Sequence, residues 1–379
     1  MAERTYPELY NETGWKFYYY DEFLKPFQEE LESFLEWDQK MNNLAYVRKV
    51  LFSHELKANN LVEGYGDNIE IIDDIIKRRT ETIRDSAVKM RINNLYLGYK
   101  YILTHRKMDK NHLKELYGIL SSGILSSSDL SHMGEYFREA PVYILMNGRL
   151  DCELDEGVRY ENICQLMDYY FQYVNQLIVD SSLSSEYIKS QIMHFYFVYI
   201  HPYFDVNGRT SRTMAMWYLL NKKIYPCIIF NRGIAFKGIE YDKVIRVAKV
   251  KRDITPFLEM MLDTLKLELE KEHVMEDIAS NTQGKLRSID YQSILYILTM
   301  NGMKTTKDFA TFYNRFNDKE SPKKIYEEML QPLIDLDIIR VERYTKKYVT
   351  NNLPNMVFSL NETKFDNDPM YLRRINRNI

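Results

Sequence analysis

Apolar residues recur with helical spacing along most of the chain, whereas alternating, strand-like segments are scarce. This pattern predicts a mainly α-helical protein. Two of the predicted helices, 186–200 and 209–221, are rich in apolar residues, which indicates that they are buried in a core. The predicted helices before residue 280 are 23–43, 44–61, 69–101, 156–179, 186–200, 209–221 and 253–274.

The composition changes after Ala279, where Ser280 to Gly284 form a polar, glycine-ended segment that we interpret as a linker. Three short helices and then two strands are predicted beyond it, an order typical of a winged helix-turn-helix domain. These elements are the helices 291–300, 306–313 and 322–335 and the strands 338–342 and 356–360. The predicted regions are an N-terminal helical region at 1–100, a helical core at 101–275, a winged-helix domain at 285–362 and a C-terminal tail at 363–379.

The predicted recognition helix of that domain, Ser321 to Leu333, carries Lys323 and Lys324 near its start and acidic residues later. Between 285 and 350 the chain has twelve Lys and Arg against nine Asp and Glu, a smaller basic excess than a dedicated DNA-binding face usually shows. The basic residues on the predicted wing are Arg340, Arg343, Lys346 and Lys347. The sequence leaves two roles open with equal weight: DNA binding, and docking or dimerisation with protein.

A β-hairpin is predicted at residues 141–152. Pro141 to Met146 and Arg149 to Cys152 have the character of strands, and Asn147-Gly148 supplies the positive φ angles of a two-residue type I′ turn. The edge of such a hairpin can pair with an extended segment of another protein through main-chain hydrogen bonds.

The segment from His201 to Arg212 gathers a base, a carboxylate, an amide, a glycine and two guanidinium groups within twelve residues. Pro202 disfavours helical geometry at the residue before it, so His201 is expected where the helix 186–200 ends. Asn207-Gly208 would present backbone N–H groups at the start of the next helix, where such donors and the helix dipole favour anions. The segment therefore predicts a site for a metal-bound polyphosphate.

This segment resembles the signature of the Fic family, H-P-F-x-D-G-N-G-R-x-x-R, and meets eight of its nine specified positions identically or nearly so. Tyr203 replaces the usual Phe conservatively. Val206 replaces a Gly, and because a β-branched residue resists positive φ, we expect the phosphate-binding turn to be altered. The resemblance extends over roughly 59–265. It implies a mainly α Fic helical-bundle core with a small β-hairpin flap at 141–152, which here precedes the winged helix-turn-helix domain.

The resemblance implies transfer of AMP from ATP to a Ser, Thr or Tyr hydroxyl of a target protein docked at the hairpin. His201 would accept the hydroxyl proton, since histidine titrates near neutral pH. Asp205 would hold Mg²⁺, although a carboxylate there also suits the cap of the following helix. The residues expected to bind the nucleotide phosphates are Asn207, Gly208, Arg209 and Arg212.

A second segment, Asn59 to Gly64, resembles the inhibitory motif of one Fic subgroup, in which a Ser or Thr is followed four residues later by Glu and then by Gly or Asn. Asn59 departs from the usual hydroxyl residue. In that subgroup the glutamate, here Glu63, pairs with a signature arginine, here Arg212, and obstructs placement of the terminal phosphate. Taken alone, Glu63-Gly64 also suits a helix end with a C-cap glycine.

The chain has 379 residues, a formal net charge of −3 and three cysteines without metal-ligand spacing. These values indicate neither a disulfide framework nor a global field that attracts nucleic acid. The amino terminus lacks a basic region followed by an apolar core, and no apolar stretch is long enough to span a bilayer, so we expect a cytoplasmic protein. His194 and His201 have no third ligand near them in sequence, and zinc is not expected.

Two functions of different class remain. The first is a protein adenylyltransferase (AMPylator) that uses ATP and Mg²⁺ and is autoinhibited by Glu63. The second is a DNA-binding transcriptional regulator whose Fic-like region senses nucleotide with weak or no turnover. Val206 and Lys237, which lies where the family usually has Asn, keep the second open. We predict the first. The sequence leaves open the target protein, the certain identity of the nucleotide and the oligomeric state, including a homodimer.

Overall fold

The computed structural model describes residues 3–7, 16–37, 47, 51–63, 87–144, 155–178, 182–282, 285–300, 304–317, 319–350, 353–361 and 363. They divide into two compact units, one up to Lys266 and one from Leu267 onwards. The helices that begin in the first unit are α1 Asp21–Trp37, α2 Leu56–Val62, α3 Ala87–Thr104, α4 Lys110–Leu120, α5 Ser127–Ser131, α6 Tyr160–Asn175, α7 Leu183–Ile200, α8 Asn207–Asn221, α9 Phe230–Phe236, α10 Gly238–Lys251 and α11 Thr255–Asn281.

The centre of the first unit is formed by α7 and α8, which pack against each other and bury nearly all of their side chains. Their apolar character on every side predicted this position. The described part of the N-terminal region adds α2, a short helix that contacts α3, α8 and α9 and follows a π-helical turn at Leu51–Glu55. The start of α8 therefore lies beside the end of α7 and beside α2.

Two predicted segments differ from the structure in their boundaries. The helix predicted at 156–179 is α6, which begins at Tyr160 and ends at Asn175, and Glu156 instead belongs to a strand. The linker predicted from Ser280 is wrong at its start, since α11 continues to Asn281 and the N–H of Thr282 still donates to the carbonyl of Ile278 at 2.9 Å. Residues 38–46, 48–50 and 64–86, which include parts of other predicted helices, lie outside the described residues.

The predicted hairpin is represented by an antiparallel pair of two-residue strands, β1 Tyr143–Ile144 and β2 Asp155–Glu156. A two-residue turn at Asn147-Gly148 with a continuous ladder would pair Ile144 with Asp151, whereas its observed partner is Asp155. The observed pairing thus differs by four residues along the return strand from that of an uninterrupted two-residue hairpin. The turn itself lies in 145–154, outside the described residues.

The second unit contains helical segments and a three-stranded antiparallel sheet with the order β3-β5-β4. Its elements are α12 Ser288–Met300, β3 Lys304–Thr305, α13 Thr306–Phe316, α14 Pro322–Ile325, a π-helical segment Tyr326–Leu330, α15 Gln331–Asp335, β4 Ile339–Thr350 and β5 Leu353–Leu360. The core between the helices and the sheet includes Phe309 and Phe358, whose ring centroids are 6.3 Å apart. The two later strands match the predicted positions but are longer, and β3 was not predicted.

Among the described residues, no helix combines the length and the apolar character that crossing a membrane requires.

Candidate functional site

The loop between α7 and α8 is held in a glycine-like backbone conformation. His201 ends α7, the position predicted from Pro202, and has φ 52° and ψ 61°, while Val206 precedes α8 with φ 66° and ψ 10°. Val206 therefore adopts the positive φ that a β-branched residue disfavours, and the backbone of the turn is not altered in the way expected. The strain of the left-handed conformation, about 1–2 kcal/mol, is offset by burial of the valine, which is 2% exposed. The N–H and the hydroxyl of Thr210 also donate to the carbonyl of Val206, at 2.9 and 2.7 Å respectively.

The side chain of Asn207 braces this loop. Its Oδ1 accepts a hydrogen bond from the N–H of Tyr203 at 3.0 Å, and its Nδ2 donates to the carbonyl of the same residue at 2.8 Å. Since Asn207 is only 3% exposed, its amide is committed to the loop. Any contact of Asn207 with phosphate would come from its backbone N–H, one of the first N–H groups of α8, which precede the first bond within the helix.

Two guanidinium groups are buried in the first turns of α8. Arg209 is 2% exposed, and its Nε and Nη1 have no hydrogen-bond partner among the described residues. Burial lowers the pKa of Arg209, although the carboxylates of Glu63 and Asp205 act in the opposite direction. A buried guanidinium with unsatisfied N–H groups donates strong hydrogen bonds to an anion. The surroundings of Arg209 therefore fit a phosphate group.

Arg212 is 1% exposed and is bound by residues of the segment around α2. Its Nη2 lies 2.5 Å from Oε1 of Glu63, and its Nε donates to Oδ1 of Asn59 at 2.7 Å. Burial would lower the pKa of Arg212, but the charge and hydrogen bond of Glu63, together with Tyr241, outweigh it and the pKa is raised. The pairing expected from the resemblance is present in the structure.

Glu63 also lies against Gly208. A Cβ atom placed on Gly208 would be 2.4 Å from Oε1 of Glu63 and 3.1 Å from Nη1 of Arg212, so only a glycine permits the close approach. Burial alone would raise the pKa of Glu63, but the charges of Arg212 and Arg209 lower it. The carboxylate thus remains ionised and stands over the first turn of α8, where an anion is favoured. The alternative role of Gly64 as a helix cap lies outside the described residues.

Asn59 is a contact of Arg212 that sequence reasoning missed. Besides its Oδ1, its backbone carbonyl accepts from Nη2 of Arg212 at 3.3 Å, and its Nδ2 donates to the hydroxyl of Tyr99 at 3.0 Å. Asn59 and Glu63 are four residues apart, so both side chains leave the segment on one face. Asn59, which replaces the Ser or Thr of the inhibitory motif, therefore supplies an amide that binds the same arginine as Glu63.

Tyr241 and His194 also support Arg212. The side chain of Tyr241 is hydrogen-bonded to Arg212, and its hydroxyl lies 2.7 Å from Nε2 of His194. Burial, together with the charge of Arg212, lowers the pKa of His194, so this imidazole is neutral near physiological pH. His194 therefore belongs to the support of Arg212, a role that its position on an apolar helix did not indicate.

Asp205 is the residue of the loop that suits a metal ion. Its carboxylate is exposed, accepts from the N–H of Val206 at 2.6 Å and interacts with the charge of Arg209. Within the described residues no three His, Cys, Asp or Glu form a cluster for a metal ion. Mg²⁺ bound through one carboxylate, phosphate oxygens and waters does not need such a cluster, so the residues present fit it.

Lys237, which stands where the Fic family usually has Asn, pairs with a carboxylate. Its ammonium group is 3.4 Å from Oδ2 of Asp263, and both side chains are partly exposed. An exposed pair of this kind contributes little to stability.

Comparisons with known proteins identify a family domain and similar folds. Residues 107–219 match the model of the Fic/DOC family. A solved structure of a Fic family protein from Desulfovibrio desulfuricans G20 is similar at a TM-score of 0.55 and 16% sequence identity, over 89% of this chain and 95% of that chain. Fic-1 from C. elegans is similar at a TM-score of 0.51 and 13% identity, over 66% of this chain and 72% of that chain. These likenesses show the fold, and the matched segment includes the loop from His201 to Arg212. The chain therefore contains a Fic/DOC family domain at residues 107–219.

Proposed function

We propose that the protein is an autoinhibited protein adenylyltransferase, which transfers AMP from ATP to a Ser, Thr or Tyr hydroxyl of a target protein. Fic-domain proteins generally transfer a nucleoside monophosphate to proteins. One observation carries the proposal for this chain: the carboxylate of Glu63 stands between the buried guanidinium of Arg212 and the first turn of α8. An internal anion thus occupies a place suited to the phosphates of a nucleotide.

In the proposed reaction the hydroxyl oxygen of the acceptor attacks the α-phosphorus of ATP, the bond to the β-phosphate oxygen breaks, and pyrophosphate leaves. His201, at the end of α7, accepts the hydroxyl proton. Arg209 and the N–H groups at the start of α8 bind the phosphate oxygens and stabilise the charge that grows on pyrophosphate. Mg²⁺ held by Asp205 would supply Lewis-acid polarisation of the phosphates when bound.

Glu63 acts in this proposal as the inhibitor. While its carboxylate pairs with Arg212, the terminal phosphate of ATP cannot reach the guanidinium, and two anions would be forced together over the start of α8. The inhibited state keeps the buried arginine paired, which avoids the cost of an uncompensated buried charge. Activation therefore requires that phosphate replaces the carboxylate at Arg212.

The hairpin supplies the docking place for the target in this proposal. β1 has β2 on one side, and the Tyr143 side chain on β1 is 59% exposed. An extended target segment that adds to such an edge is held by main-chain hydrogen bonds, with little demand on its side chains. This mode suits an enzyme that needs only one hydroxyl at a fixed place.

We propose further that the second unit is a winged helix-turn-helix domain with a docking or dimerising role. The support is its order of three helical regions and three antiparallel strands. A DNA-binding role is less favoured, because Lys323 and Lys324 of its predicted recognition helix lie 3.7 and 2.6 Å from the carboxylates of Glu327 and Glu320. Those carboxylates would repel DNA phosphate where the lysines would attract it.

The test is incubation of the purified wild type and Glu63→Gly with labelled ATP, Mg²⁺ and a cell lysate, followed by mass spectrometry of the adducts. We expect AMP adducts on hydroxyl side chains that increase in Glu63→Gly and are abolished when His201→Ala is added. ATP binding by the His201→Ala variant should persist, because the imidazole is not assigned to phosphate. Absence of any nucleotide adduct in Glu63→Gly, with ATP binding retained, would favour the nucleotide-sensing alternative.

A further inference from the structure

Arg138 is a buried arginine between the hairpin and the end of α7, and sequence reasoning gave it no chemical role. Its side chain is 1% exposed. The guanidinium donates to three backbone carbonyls: Nε to His201 at 2.9 Å, Nη1 to Ala140 at 2.7 Å and Nη2 to Val158 at 2.6 Å. The backbone N–H of Arg138 also donates to the carbonyl of Pro202 at 3.0 Å.

The three carbonyls belong to the parts of the site that must meet during the proposed reaction. Ala140 lies three residues before β1, and Val158 lies two residues after β2, so Arg138 holds both ends of the hairpin. The third carbonyl is that of His201 itself. The backbone after β2 packs closely on Arg138, because a Cβ atom placed on Gly157 would lie 3.0 Å from Nη2 of Arg138.

We propose that Arg138 is a positioning residue, which fixes the imidazole of His201 relative to the hairpin where the acceptor hydroxyl is presented. This role rests on the proposed function. It follows from the backbone of His201, whose left-handed conformation directs its carbonyl to the guanidinium instead of continuing α7. A base and an acceptor held on separate elements react fast only when their relative position is fixed, and a misplacement of about 1 Å can lower the rate about 100-fold.

The chemistry of the contact explains why arginine suits this place. A guanidinium carries five N–H donors in one rigid plane, so it can reach carbonyls that lie in different directions. The ammonium group of lysine is a compact point charge at the end of a flexible chain, and it cannot reproduce the three-way contact. Arg138→Lys therefore keeps the charge and removes the fixed geometry.

The experiment uses the full chain with Glu63→Gly, alone and combined with Arg138→Lys or Arg138→Gln. A matched control is Tyr187→Phe, which removes one buried hydrogen bond, from the tyrosine hydroxyl to the carbonyl of Met261 at 3.0 Å, within the same helical core. Labelling is measured as kcat and as KM for ATP, and thermal unfolding is measured for each variant. The ring signals of His201 are followed by NMR and are assigned by their absence in His201→Ala.

We expect Arg138→Lys to lower kcat on the order of 10- to 100-fold, to leave KM for ATP within about twofold, and to shift the ring signals of His201. Tyr187→Phe should lower the unfolding temperature and change neither kcat nor the His201 signals. If Arg138→Gln fails to fold, Arg138→Lys alone tests the positioning role.

Unchanged His201 signals and unchanged kcat in Arg138→Lys, with only a lower unfolding temperature, would overturn the positioning role. A loss that falls on KM for ATP instead of kcat would overturn it as well. If Glu63→Gly itself forms no adducts, the proposed function fails, whereas the shift of the His201 signals still tests Arg138.

Discussion

Oε1 of Glu63 lies 2.5 Å from Nη2 of Arg212, and this pair joins the end of α2 to the second turn of α8. The arginine is 1% exposed and the glutamate side chain is 25% exposed, so water reaches the anion more easily than the cation. The carboxylate can therefore leave, but the guanidinium cannot remain buried without another anion. This difference in exposure suits a regulatory mechanism in which a phosphate group replaces Glu63 at Arg212.

Glu63→Gly should increase labelling and lower stability in the absence of nucleotide. Removing one partner of a buried pair costs about 3–5 kcal/mol, and we expect the lower end because Glu63 is partly exposed. ATP should restore part of the lost unfolding temperature by supplying an anion to Arg212. Calorimetry with and without ATP, together with the labelling assay, measures both effects.

The control for Glu63→Gly is its combination with Arg212→Ala. A gain of labelling that depends on the released arginine must vanish in the double variant. Equal labelling in the wild type and Glu63→Gly would show that Glu63 does not inhibit.

Gly208→Ala tests where the carboxylate of Glu63 lies. The added methyl group would meet Oε1 of Glu63 at 2.4 Å, so the side chain must move away from the start of α8. We expect Gly208→Ala to lower the free energy of unfolding in the wild type and to lower it less in Glu63→Gly. A double-mutant cycle from urea unfolding gives this coupling energy. Equal losses in the two backgrounds would contradict the observed contact.

The pair should also give a defined pH dependence of stability. The pKa of Glu63 is lowered in the folded state, because the charges of Arg212 and Arg209 outweigh its burial. Its stabilising contribution is therefore complete above the unfolded pKa of about 4.3 and is lost as the pH falls through the lower folded pKa. The difference in free energy of unfolding between the wild type and Glu63→Gln should be constant from neutral pH to about pH 5 and shrink below it. A difference that grows on acidification would show a raised pKa instead.

How far the sequence predicts this site depends on which partner a side chain binds. The position of His201 follows from a local rule about Pro202, and the pair of Glu63 with Arg212 has a charged residue at each end that a motif can record. Arg138 binds backbone carbonyls. Because every residue has a backbone carbonyl, the amino-acid sequence does not indicate which residues Arg138 binds. Asn59 is bound by a residue 153 positions away, and only the packing of α2 on α8 brings them together.

Val206 shows the opposite limit. Its sequence correctly indicates a residue that dislikes positive φ, but burial of the side chain and the hydrogen bonds of Thr210 outweigh this local preference. Intrinsic backbone preferences of about 1–2 kcal/mol are small enough for tertiary packing to override.

Asp205→Asn tests the predicted metal ligand while preserving the loop. The asparagine oxygen can still accept from the N–H of Val206, so the unfolding temperature should change little. The charge that attracts Mg²⁺ is lost, and the Mg²⁺ concentration for half-maximal labelling in the Glu63→Gly background should rise severalfold. An unchanged Mg²⁺ titration would remove Asp205 from the metal site.

Val206→Gly and Val206→Ala together test whether the turn before α8 has the glycine-like conformation in solution. Both variants lose the burial of the valine, but only glycine relieves the strain of φ 66°. Although alanine usually stabilises relative to glycine, here Val206→Gly should be more stable than Val206→Ala by about 1 kcal/mol, measured by urea unfolding. Because the backbone already has the conformation that glycine would adopt, labelling by Glu63→Gly should be similar with and without Val206→Gly. A large gain of labelling on adding Val206→Gly would mean that the valine side chain itself obstructs the phosphates, and a more stable Val206→Ala would mean that φ at this residue is negative in solution.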